Sequence, residues 1–110
     1  MFDDRQANGQ YAVIFRPGEP IGRIDTLTPA EASRLVGGFA TQLVWGRKYV
    51  VYVSNAANAH FLEPNRLFDS HVINGLMVVM GLDRPFASRQ AVELAHDCPW
   101  VMTRLEVSNL

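Results

Sequence analysis

The chain has 110 residues, 48% hydrophobic and 19% charged, which fits one compact domain over residues 1–110 and excludes a largely disordered chain. A formal net charge of −1 supplies no broad basic surface, so neither nucleic acid nor a membrane surface is expected as a partner. The longest apolar runs, Tyr49–Val53 and Leu76–Met80, are too short to span a bilayer, the polar start Met1–Gln10 has no signal-peptide core, and the single cysteine, Cys98, excludes an internal disulfide; a cytoplasmic protein is expected.

Tyr11–Arg16 is rich in strand formers and is stopped by Pro17-Gly18, a turn pair, so it reads as the first strand. Ile21–Asp25 alternates apolar and polar residues and is expected to return as a short arm, making a hairpin over residues 11–25 that Pro20 and Gly22 weaken. Thr28-Pro29-Ala30-Glu31 then supplies a capping hydroxyl, a proline at the first helical position and a carboxylate three residues after the cap. The spacing of Ala32, Leu35, Val36, Phe39, Ala40 and Leu43 predicts one helix over Pro29–Val44, with Gly37-Gly38 inside it at a cost of ~1 kcal/mol per glycine.

Tyr49–Val53 is β-branched and aromatic throughout and reads as a strand. Ala56–Ser70, with Asn58, Pro64 and Asn65, reads as a long loop with one helical turn around Arg66–Phe68, and His71–Met80 as the next strand. Ser88 is placed as the cap of a second helix whose inner face is Ala91, Leu94, Ala95 and Cys98, ended by Pro99. Trp100–Val107 alternates and closes the chain as a half-exposed strand.

Without the hairpin arm the order is β-α-β-β-α-β, the ferredoxin-like plan of the α+β class: a four-stranded antiparallel sheet with two helices on one face. Tyr49–Val53 and Leu76–Met80 are apolar at consecutive positions and so present hydrophobic side chains on both faces of that sheet. Two helices on one face leave the other bare, and a homodimer through the sheet face, or else residues 1–10 or the long loop folded over it, is expected to cover it.

The ending Gln90-Ala91-Val92-Glu93-Leu94-Ala95-His96-Asp97-Cys98-Pro99-Trp100, followed by Leu105-Glu106-Val107, resembles that of YCII-related proteins, where a helix of the type A-x-x-L-A-x-x-C-P-W leads into a last strand containing E-V. Gly75–Met80 resembles the third strand of that family. The resemblance implies a dimeric α/β barrel and, for some relatives, a His and Asp pair that works on small organic molecules. In those relatives the His lies on the first helix. Here Pro29–Val44 contains no histidine, and the D-G-P-F motif of one branch is replaced around Asn65–Asp69.

The residues themselves offer one constellation. Asp69 stands two positions before His71, so a strand there puts both side chains on one face, and a carboxylate beside an imidazole can fix its tautomer and make it a general base. His71 and Asp69 are the candidate catalytic pair, with His60 and Tyr52 as candidate ligand contacts. A metal site from His60, Glu63, Asp69 and His71 lacks the close histidine or cysteine spacing that metal motifs carry, and no metal or other cofactor is expected. His96, near the end of the last helix where a cation complements exposed carbonyls, is expected to have a structural role, and Cys98 on the inner stripe is expected to be a small buried hydrophobe rather than a nucleophile. Two functions follow: binding, and in one version transformation, of a small organic molecule in a cleft between sheet and helices, or a non-catalytic interaction module acting through an exposed loop or strand edge.

Overall fold

The computed structural model describes residues 9–37, 40–45, 47–55, 62–68 and 71–96. Gln10–Phe15 forms β1, and Pro17-Gly18 turns the chain back into β2, Arg23–Leu27, so the expected hairpin arm is present. α1, Pro29–Leu35, starts as the sequence requires. The Glu31 amide donates to Thr28 Oγ1 at 3.1 Å, and the Thr28 amide donates to Glu31 Oε1 at 2.9 Å, which completes a capping box with Pro29 at the first position.

The first helix is shorter than its apolar stripe predicts. It ends at Leu35, and Gly37 turns away at φ 114°, a conformation open to glycine and strained for other residues. The Ser54 hydroxyl donates to the Val36 carbonyl at 2.7 Å and satisfies the helix end. Ala40–Trp45, expected as the last turns of that helix, is strand β3, paired along its whole length with β4, Tyr49–Ser54.

The expected loop before His71 contains a strand as well: β5, Pro64–Phe68, pairs antiparallel with β6, His71–Asn74, and no helical turn forms at Arg66–Phe68. The single strand predicted over His71–Met80 is broken at Gly75, where φ is 81°, and resumes as β7, Met77–Gly81. Asn65 fastens this bend. Its side chain is 2% exposed, and Nδ2 donates to the Phe15 carbonyl at 2.7 Å and to the Gly75 carbonyl at 2.6 Å. Two buried carbonyls thus share one side-chain amide as donor.

α2, Ser88–His96, buries Ala91, Leu94 and Ala95, the expected inner face. Its cap lies one residue earlier than predicted: Ala91 bonds to the Ala87 carbonyl, and the Ala87 amide donates to Gln90 Oε1 at 2.9 Å. His96 Nδ1 donates to the Val92 carbonyl at 2.9 Å, the structural role expected of it. Cys98 and the expected closing strand Trp100–Val107 lie outside the described residues.

The chain is α+β, with a mainly antiparallel sheet and, among the described residues, two helices. Among the described residues the main sheet has five strands where four were expected, in the order β2-β1-β7-β4-β3, and β5-β6 is a separate ribbon. The helices are also not on one face. Val13, Phe15, Val51, Val53, Met77 and Val79 pack with Ala91, Leu94 and Ala95 of α2, whereas Ala12, Ile14, Val50, Tyr52, Val78 and Met80 pack with Ala32 and Val36 at α1. Alternate residues of a strand point to opposite faces, so each helix takes its own. Both faces of β4 and β7 are buried within one chain, which removes the bare face that called for a second copy over the sheet. Among the described residues, no helix is long and apolar enough to cross a membrane.

Candidate functional site

β4 and β7 run antiparallel, so Tyr49 at the start of β4 lies beside Gly81 at the end of β7. The turn from β3 and the exit toward α2 therefore meet at one end of the sheet. Trp45 pairs with Tyr49, leaving a three-residue connection, and within it Arg47 has φ 59°. Glycine or asparagine normally takes that left-handed position, and an arginine there costs roughly 1 kcal/mol. On the other segment, the Leu82 amide donates to the Lys48 carbonyl at 2.9 Å and ties the exit of β7 to the turn.

Between these segments and α2 lies an open cleft of about 770 Å³, within the range of small-molecule sites. One wall is apolar: the rings of Tyr49 and Phe86 sit 5.8 Å apart at 60°, above buried Leu94. The rim carries Arg47, Lys48 and Arg84 against Asp83 and Glu93. Glu93 already faces Arg89, 3.4 Å away in an exposed pair one helical turn apart. Among the described residues no ion pair is found for Arg47, Lys48, Arg84 or Asp83. The rim thus offers more positive than negative charge over a partly aromatic floor.

Of the residues expected for the site, the described ones, His71 and Tyr52, do not line this cleft. His60 and Asp69 lie outside the described residues, and His71 opens β6 opposite Phe68, on the separate ribbon. Tyr52 is 4% exposed on the α1 side, opposite the face of Tyr49, and burial raises its phenol above the ordinary value. Sequence analysis singled out neither Gly46-Arg47-Lys48, the charged boundary between β3 and β4, nor Arg84. The signal available was the charge of that boundary; what brings Arg84 to it is the pairing of β4 with β7. Compared with family models, curated proteins and solved structures, the chain finds no match.

Proposed function

We propose that the protein binds a small organic anion, a carboxylate or phosphate ester attached to an apolar ring, in the cleft between the sheet and α2. The observation that carries this reading is the set of three cations, unpaired among the described residues, around the Tyr49–Phe86 wall. Guanidinium and ammonium groups give an anion charge-assisted hydrogen bonds, and the rings give its apolar part a surface to leave water for. The strained backbone of Arg47 fits the same role, because strain is retained where a side chain must be aimed. Binding is the function proposed for this cleft.

The sheet-face homodimer expected from the strand pattern and the YCII-like resemblance rested on a bare sheet face; Val50–Val53 and Met77–Met80 are buried on both faces within the chain, which removes that support.

Phenyl phosphate combines the two halves of the proposed ligand, and inorganic phosphate and phenol present each alone. In calorimetric titrations the wild type is expected to bind phenyl phosphate at least tenfold more tightly than either half. Arg84→Ala should weaken binding by about tenfold or more, the scale of one lost charge-assisted contact, while His71→Ala should bind as the wild type does. Equal affinity in wild type and Arg84→Ala would remove the cleft from the function.

A further inference from the structure

The two edges of the main sheet are built differently. β2, at one edge, places exposed Arg23 and Asp25 along a five-residue strand, with Arg23 Nε bonded to Glu19 at 3.1 Å. Charged side chains on an edge strand keep other strands from adding to it. β3, at the other edge, is six residues long and reads Ala-Thr-Gln-Leu-Val-Trp, with no charge and no proline. It pairs with β4 on one side, and among the described residues nothing pairs with the other. Val44 is 60% exposed, the most exposed large apolar side chain among the described residues, and Thr41 and Gln42 are exposed beside it.

We infer that β3 pairs antiparallel with β3 of a second copy, joining two five-stranded sheets into one continuous sheet across a two-fold axis. The free N–H and C=O groups of one edge are satisfied by those of the other, as in any strand addition. The second copy fits because an uncharged strand is its own match about a two-fold: no like charges meet along the ladder. The axis is perpendicular to the sheet and keeps the α1 side of both copies on one side. Val44 then lies among Ala40, Gln42 and Val44 of the second copy. Charge also fixes the direction. Arg47 and Lys48 directly follow β3, so parallel pairing would set both copies' cations side by side, and antiparallel pairing carries them to opposite ends.

Sedimentation equilibrium of the full chain at micromolar concentration tests this. The wild type is expected to sediment with twice the chain mass. Val44→Lys puts two ammonium groups near the two-fold at a position exposed in the single chain, and should raise the dimer dissociation constant more than tenfold with an unchanged circular-dichroism spectrum. Ile24→Lys, on the other edge, should leave the dimer intact. A monomeric wild type, or a dimer that survives Val44→Lys, would overturn the assignment. Because the cleft lies off the β3 edge, phenyl phosphate titration of Val44→Lys should match the wild type, so this test and that of the cleft fail separately.

Discussion

The two ends of β7 are finished in opposite ways. At Met77 the chain is closed: the β5–β6 ribbon lies against the sheet, Ile73 joins the core, and Asn65 occupies buried carbonyls of β1 and of the bend before β7. At Gly81 it is open: cations stand unpaired among the described residues, aromatic rings line a cleft, and an arginine holds a left-handed backbone. At the closed end Asn65 is spent on internal hydrogen bonds, while the buried Oδ1 of neighbouring Asn74 finds no partner among the described residues. The other end keeps its charge available, and it is the end to which the proposed function assigns recognition. The lesson is that where charged groups stand unpaired divides a small fold more sharply than composition does.

The largest effect expected from this contrast is at the closed end. Asn65→Ala leaves the Phe15 and Gly75 carbonyls without that donor in a dry site and should cost about 2 kcal/mol of unfolding free energy. Folded Asn65→Ala should still bind phenyl phosphate with wild-type affinity. Denaturant melts and titration of one preparation check both; a stability loss below about 0.5 kcal/mol would break the comparison at this end.

At the open end a smaller change should have the opposite sign. Arg47→Gly relieves the left-handed strain and should stabilise the fold by up to about 1 kcal/mol while weakening phenyl phosphate binding. Glycine also gains freedom in the unfolded chain, which trims the gain. A variant both less stable and equal in affinity would show that Arg47 is held for structure alone.

Between the two ends, Tyr52 tests how closed the α1 face is. Burial raises its phenol above the usual value near 10, so the folded chain favours the neutral form. That contribution is whole below pH 10 and is lost as pH climbs through the raised value. Tyr52→Phe should therefore hold its stability further into alkali than the wild type does, as read from denaturant midpoints across pH 8–11, roughly spanning the phenol range. Identical alkaline limbs would place Tyr52 in contact with water.

Much of the scaffold was legible because it depends on neighbouring residues. Thr28, Pro29 and Glu31 define their capping box within four positions, and Tyr49–Val53 could hardly be anything but a buried strand. The first helix was overextended because Phe39, Ala40 and Leu43 continue its period, while the glycine pair and the ladder to β4 outweigh that period. β5 was hidden because Pro64-Asn65-Arg66-Leu67-Phe68 has no clean alternation and opens on proline. Splitting the helices between two faces could not be read from element order, which says nothing of which face each helix takes. The candidate site was the least legible part. Arg47 and Arg84 are brought together by the register of β4 against β7, and no motif spans that separation. His60, Asp69 and His71, by contrast, were conspicuous because they are close in sequence.

The most direct test of recognition at the open end is a residue map. Backbone amide resonances of the full chain would be followed during titration with phenyl phosphate. The division between the two ends of β7 predicts shifts concentrated at Arg47–Tyr49, Asp83–Phe86 and the cleft side of α2 around Gln90–Leu94, with the amides of Asn65 and Ile73–Gly75 unmoved. Shifts centred on residues 60–74, or none at millimolar ligand, would contradict it.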